Sequence, residues 1–527
     1  MSEFSDIIVS IILDSMSVRV NNSYMFDADH LKGAQPIVAV IGAGVGGLAA
    51  ALRLQAAGHR VTVFDNHHWP GGKMRTIPSL AGPVDAGPTV LTMRHVFDDL
   101  FAATGARLDD HLTLIREDLL ARHFWPDGST LDLTTEHDAN AAAIERFASK
   151  TVALEYERFT RDAAELFDLF SEPMMLQPEP RIAQLARAAL SRPRHLTTLS
   201  PLATLRAHLT RRFSDRRLAQ LFGRYATYVG GTPLAAPALL SLIWQAEAAG
   251  VWRVRGGMHK LAEALTERLS AIGGTVRLGT AVSTIHTDAG RATGVTLADG
   301  SRFLADKIVF AGDPRALATG RLGSGVTSIA AQTKTVPRSL SARVWSFAAQ
   351  PQGQVELAHH NVFFANSETS EFEDLAGGAM PSDPTIYICA EDRGTGTAAP
   401  TGPERFEIIL NAAPLTDATP QPDEEETCRQ TTFQTLARFG LTFDPMPPTT
   451  SLATPRLYEA LFPASAGSLY GQTPHGMTAA LKRPRARTPI PGLYLAGGGT
   501  HPGAGVPMAA LSGKHAADAI LKDRVST

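Results

Sequence analysis

The chain has 527 residues, 44% hydrophobic and 19% charged side chains, a mean hydropathy of −0.04 and a formal net charge of −3. That balance excludes a disordered or fibrous chain, and the length exceeds what a single core sustains, so two structural domains are expected. The two cysteines, Cys389 and Cys428, lack CxxC spacing, which argues against a zinc site, a disulfide framework or a redox dithiol, and no metal site is expected.

Residues 1–35 read as a disordered extension with no legible role. Residues 7–13 are apolar except for Ser10, but Glu3 and Asp6 precede them and no small-residue cleavage site follows, which argues against a signal peptide. No apolar run approaches the roughly 18 residues that span a bilayer.

Residues 36–41 form a short β-branched apolar run, the mark of a buried parallel strand. Gly42, Gly44, Val45, Gly46 and Gly47 follow in a G-x-G-x-x-G pattern, then a helix closed by Gly58, then a second strand over 60–64 ending at Asp65. In such a unit Gly42 permits the tight turn, Gly44 lets backbone approach a pyrophosphate, and Gly47 lets the helix pack on the sheet. The helix N-terminus offers free N–H groups to phosphate, and Asp65 can accept hydrogen bonds from a ribose. Gly71, Gly72, Lys73 and Arg75 come next, a glycine pair with cations able to reach phosphates. Gly87, Pro88 and Thr89 then form a segment fit for close approach to a ring system.

From about 96 to 249 the pattern is mostly helical, broken by Pro173, Pro178, Pro180, Pro193 and Pro201. Between Arg181 and Arg224 lie ten arginines against one acid, Asp215, interleaved with leucines at helical spacing. A basic amphipathic surface of this kind suits anionic lipid, or is simply a solvated face; no recognition motif supports nucleic-acid binding. Gly256, Gly257 and Met258 open another helix. Short alternating strands follow to about 312, with a hairpin turn at Asp299-Gly300. Residues 340–415 read as strand-rich and 424–439 as helical. Near the C-terminus a strand over 493–496 runs into glycines including Gly498, then into a helix starting near Pro507, whose missing N–H costs nothing in a first turn. Flanked by Val506 and Met508, that positive helix end is suited to stabilise negative charge on a bound ligand.

Taken together, GAGVGG, PGGKMRT, DAGPTVLT, LFGRYATYVGG, RGGMHKLAEAL and GLYLAGGGTHPGAGVPMAALSG resemble the carotenoid desaturases of the bacterial phytoene-desaturase type, from Pro36 to about Lys522. The likeness is strongest to the 1-hydroxycarotenoid 3,4-desaturases of purple phototrophic bacteria, with Lys73 standing where phytoene desaturases usually carry arginine. It implies an α/β fold: a Rossmann-type FAD-binding domain of the amine-oxidase kind, with an inserted mixed sheet and a helical substrate domain. The expected FAD-binding domain is discontinuous, over 36–92, 250–315 and 485–523. Residues 93–249 would form the helical, membrane-associated region, and 316–484 the substrate domain with the mixed sheet.

The resemblance further implies FAD as cofactor, Val282 among its contacts, and a C40 carotenoid as substrate. Two hydrogens would leave C-3 and C-4 beside the polyene, at a 1-hydroxylated or 1-methoxylated end; the final electron acceptor, oxygen, a quinone or another carrier, stays open. Delocalisation into the polyene removes the need for a strong base, so a narrow apolar tunnel matters most. Arg224, Tyr225 and His501 are the candidate catalytic side chains. Phe222, Trp244 and Trp252 belong to core or tunnel wall. Phytoene desaturation, carotene isomerisation and non-enzymatic prenyl binding on the same scaffold are the alternatives, and a cytoplasmic, peripheral membrane location is expected.

Overall fold

The computed structural model describes residues 35–195, 203–398, 400–416 and 424–525. The expected extension over 1–35 lies outside them apart from Gln35. A five-stranded sheet organises the nucleotide-binding region. Its strands are β1 (Ile37–Ile41), β2 (Arg60–Phe64), β3 (Thr275–Arg277), β4 (Lys307–Phe310) and β5 (Leu493–Leu495). All neighbours are parallel, in the order β5-β4-β1-β2-β3, so segments from both ends of the chain build one sheet. Strands covered on both faces must be apolar nearly throughout, and Val38, Ala39 and Val40 of β1 are fully buried.

Helices α1 (Val45–Ala56) and α2 (Val506–Val525) pack against each other over this sheet. Glycine allows the contact. A Cβ on Gly46 would sit 2.6 Å from the Gly497 nitrogen, and one on Gly513 would sit 2.3 Å from the Gly46 carbonyl oxygen. A Cβ on Gly47 would strike the Gly42 oxygen at 2.0 Å, so α1 can turn off β1 this tightly only with glycine there. Before β4, strands Val282–Asp288, Arg291–Leu297 and Arg302–Leu304 form an antiparallel sheet that turns at Asp299-Gly300, as expected.

The second large sheet has eight strands and centres on the pairing of Ser341–Gly353 with Glu404–Ala412. It is mixed, because His360–Phe363 runs parallel to Leu119–Phe124 while its other pairs are antiparallel. The hairpin Leu119–Phe124/Thr130–Thr134 lies inside the stretch read as mostly helical. Its signals were present: Asp127-Gly128 marks the turn, and Leu131 and Leu133 alternate into the core with period two. A helical layer includes Lys150–Phe170, capped by the Ser149 hydroxyl accepting the Val152 N–H, together with Arg216–Gly223 and Ile243–Ala248. Tyr156, Phe159, Phe222 and Trp244 meet within it, so Phe222 and Trp244 are core.

Asp85 ties the layers together. Its carboxylate accepts the Met258 N–H at 2.5 Å and faces the His259 imidazole at 2.8 Å, so it holds the start of helix His259–Ala271. Two residues on, Gly87 packs on the backbone of the glycine-pair loop, where an added Cβ would sit 2.1 Å from the Lys73 carbonyl oxygen. Gly513→Ala should destabilise the protein by about 1–3 kcal/mol through overpacking of α1 against α2, read as a lower urea midpoint, with FAD content falling in parallel.

Candidate cofactor and substrate site

A cavity of about 940 Å³ runs from the glycine loops into the space between the helical layer and the eight-stranded sheet. Gly42, Gly44, Val45, Gly46, Asp65, Gly71, Gly72, Lys73, Gly87, Pro88, Thr89, Val282, Gly498, Val506, Pro507 and Met508 all line it. Gly47 does not, since its place is the α1 turn. The fit to a dinucleotide rests on backbone. An added Cβ on Gly44 or Gly498 would meet nothing within 4 Å, so at both loops main chain faces open cavity. The first N–H groups of α1 and α2 have no intrahelical partner and converge there.

Asp65 also holds the loop itself. Oδ2 accepts the Ala43 N–H at 2.7 Å, and Oδ1 accepts the His67 N–H at 2.8 Å and faces its ring at 2.9 Å. A carboxylate has about four acceptor sites, so capacity remains for a ribose. The Gly497 N–H donates to the Ser512 hydroxyl at 2.7 Å, fastening the C-terminal loop onto α2. Arg483 is one residue that sequence reading passed over. Buried in the wall, it donates to the carbonyls of Tyr470, Gln472 and Gly498, and so shapes the loop that faces the cavity.

Lys73 points into the cavity, with Nζ 2.5 Å from the Leu469 carbonyl and lying over the Phe462 ring. Burial lowers it to about 8. Arg75, expected beside the phosphates, does not line the cavity. It is buried, in electrostatic reach of Tyr458 and Glu407.

The rest of the wall is largely apolar, with Phe167, Phe170, Met174, Leu240 and Ile243 on the helical side and Val344 and Ile409 on the sheet. Arg224 lines it and donates to the Tyr228 hydroxyl at 3.0 Å. Tyr225 does not: its ring is buried among Phe222, Tyr228 and Trp244, and its hydroxyl donates to Glu247 Oε1 at 2.8 Å. His501 also lies off the cavity. Its Nε2 bonds the Gln177 carbonyl at 2.8 Å and its ring stacks on His515, which makes it a tie between α2 and the segment after Lys150–Phe170. Tyr387, unremarked in the sequence, faces the cavity and donates to Thr89 Oγ1 at 2.8 Å. Behind it His359, His360 and Cys389 lie within 4.8 Å of one another, with His359 Nδ1 on the Ala390 carbonyl and His360 Nδ1 on the Tyr387 hydroxyl.

The flavin containing amine oxidoreductase family matches residues 45–521 of this chain. Over 491 residues the chain is 56% identical to the hydroxyneurosporene desaturase of Cereibacter sphaeroides, covering 93% of this chain and 98% of that one. It is 50% identical over 489 residues to the hydroxyneurosporene desaturase of Rhodobacter capsulatus, again covering 93% and 98%. A solved structure of a putrescine oxidase variant matches with a TM-score of 0.59 at 16% identity, over 93% of this chain and 99% of that one; what is shared there is the fold. The chain therefore belongs to the flavin-containing amine oxidoreductases, on their carotenoid desaturase branch, and FAD is its cofactor.

The Lys73 shift has a pH consequence. Between about 8 and 10.5 the unfolded chain keeps a lysine proton that the folded, FAD-free protein has lost, so that form gains stability as pH rises through this window. A diphosphate favours charged lysine and reverses the sign. FAD affinity should therefore fall above about pH 8, by up to about tenfold per unit, when apoprotein is titrated with FAD. Lys73→Arg should flatten that fall.

Proposed function

We propose that this protein introduces a C-3,4 double bond into acyclic carotenoids carrying a 1-hydroxy or 1-methoxy end, as an FAD-dependent 3,4-desaturase. The observation that carries this reading is a cavity of about 940 Å³ lined both by the cofactor loops and by a largely apolar wall suited to a polyene end. The names of the relatives, hydroxyneurosporene desaturases, support the choice of end group.

Bound FAD supplies a two-electron acceptor for the hydrogens lost from C-3 and C-4. The chain's own part is placement and exclusion of water. Phe167, Phe170, Met174 and Ile409 offer no hydrogen bond to the polyene, so it is held by shape. Gly87, Pro88 and Thr89 bound the reacting end. With no general base demanded, the catalytic gain comes from orientation in a dry site. Oxygen or a quinone is the final acceptor in this reading.

The protein is taken to meet its substrate at an anionic membrane surface on the cytoplasmic side. No helix among the described residues is long and apolar enough to cross a membrane. Support comes from helix Ile182–Ser191, which buries none of its residues and leaves Ile182 73% and Leu190 68% exposed beside Arg181, Arg187 and Arg192. The segment just before it, Ser171–Leu176, supplies Ser171, Met174 and Met175 to the cavity wall. The basic stripe is narrower than its sequence suggests. Arg194, Arg206, Arg212 and Arg217 pair with Glu165, Glu368, Asp162 and Asp215, and Arg224 is buried in the wall.

Incubated with FAD and lipid-dispersed substrates, the protein should convert 1-hydroxyneurosporene to a product lighter by two hydrogens and absorbing at longer wavelength. Conversion of phytoene in its place would sink the assignment. Replacing Arg181, Arg187 and Arg192 with Gln should weaken flotation with anionic vesicles at low salt, whereas the same change at Arg206, Arg212 and Arg217 should leave it nearly intact. Equal binding by all forms at both low and high salt would refute the membrane surface.

A further inference from the structure

One charged group stands where the apolar wall would not require it. Glu247 lies on helix Ile243–Ala248 and is only 5% exposed, yet it lines the cavity beside Ile243 and Ala246. One carboxylate oxygen, Oε1, takes the Tyr225 hydroxyl; the other, Oε2, is buried and meets no donor in hydrogen-bonding geometry, with the Tyr228 hydroxyl the other polar group in reach of the carboxylate. Arg224, the nearest cation, commits both terminal nitrogens to the Tyr228 hydroxyl and forms no ion pair with Glu247 among the described residues. Burial pushes the Glu247 carboxyl above its ordinary range, while Arg224 and the two tyrosines pull it back.

An unpartnered buried acceptor is costly unless a ligand completes it. A hydrocarbon cannot. A carotenoid whose C-1 bears a hydroxyl can, and that oxygen is three bonds from C-3, so the group that completes Glu247 must sit close to the reacting carbons. The location agrees. Tyr387, within the electrostatic reach of Arg224, donates to Thr89 in the segment that bounds the cofactor end of the cavity.

We propose that Glu247 is the residue that reads the substrate's end group, its Oε2 accepting the hydrogen bond of the tertiary alcohol at C-1. Tyr225 is the positioning residue that aims the carboxylate. The proposal rests on the 3,4-desaturase reading above and extends it, because it ranks two end groups. A methyl ether has no proton to donate, so the 1-hydroxy substrate should be preferred to the 1-methoxy one. A site built around a substrate hydroxyl discriminates strongly against the analogue that lacks it, since the buried acceptor is then left unpaired.

The test compares kcat/KM and equilibrium binding for 1-hydroxy-, 1-methoxy- and unsubstituted neurosporene with the FAD-loaded wild type, Glu247→Leu, Glu247→Gln and Tyr225→Phe. Glu247→Leu should lose roughly 10- to 100-fold on the hydroxylated substrate, collapsing the hydroxy-to-methoxy ratio. Glu247→Gln should move that ratio toward the ether, because an amide N–H can donate to the ether oxygen. If Glu247→Leu fails to retain FAD, Tyr225→Phe carries the test, with a smaller fall in the same ratio. A ratio identical to wild type in the variants that retain FAD, or a wild type indifferent to the end group, overturns the role of Glu247. A wild type inert toward the hydroxylated substrate sinks the 3,4-desaturase reading instead.

Discussion

The cofactor site depends on how closely α1 and α2 approach. Gly46 faces Gly497, and Gly513 faces the Gly46 carbonyl, at separations no side chain would permit. Those contacts bring two loops, more than four hundred residues apart in the chain, together at the carboxyl ends of the strands of a single parallel sheet. A helix N-terminus by itself holds charge weakly in water. Two of them converging on one largely apolar cavity act where the dielectric is lower than in bulk water and each N–H counts for more. Strands from both ends of the chain share this sheet, and that is how loops so far apart in sequence come to face one ligand.

A second constraint follows from the substrate's chemistry. A polyene end can be held only by shape, so the wall must be apolar, and any charge placed in it carries a desolvation penalty. The few polar side chains in that wall are accordingly grouped. Arg224, Tyr225, Tyr228 and Glu247 form one cluster, with Tyr387 and Thr89 adjoining. Arg224 and Glu247 are not fused into an ion pair; each is satisfied mainly through a tyrosine. A closed ion pair would engage both carboxylate oxygens, whereas here Oε2 of Glu247 is left without a donor in hydrogen-bonding geometry. Replacing such a cluster by well-packed apolar side chains would often stabilise a protein. Its presence therefore points to selectivity rather than to stability.

What could be read from the sequence divides along physical lines. The nucleotide loops were legible because their constraint lies in the backbone. Gly42, Gly47 and Gly71 occupy conformations or contacts that other residues cannot adopt, and Pro507 needs the first turn of a helix. Side-chain direction was not legible. Arg75 lies two residues from Lys73, yet it faces the protein interior while Lys73 faces the cavity. Tyr225 and Tyr228 share one short helix, and only Tyr228 reaches the site. His501 sits in the most telling motif of the chain and serves as a tie to Gln177. Glu247 carried a signal that went unused: a lone acid in the apolar run SLIWQAEAAGVW.

The arginine-rich stretch shows the same division. Charge counted along the chain treats every arginine as free, but folding commits four of them to carboxylates and buries a fifth. What remains exposed on Ile182–Ser191 is a short helix with apolar and basic side chains together, a short step along the chain from residues that wall the cavity. Exposed isoleucine and leucine cost little singly. Beside arginines, and next in sequence to the cavity wall, they describe a surface that can rest in a lipid headgroup layer while its neighbour receives a hydrocarbon. On the membrane reading proposed above, this continuity would keep the path from lipid to reaction site short for a substrate that is insoluble in water.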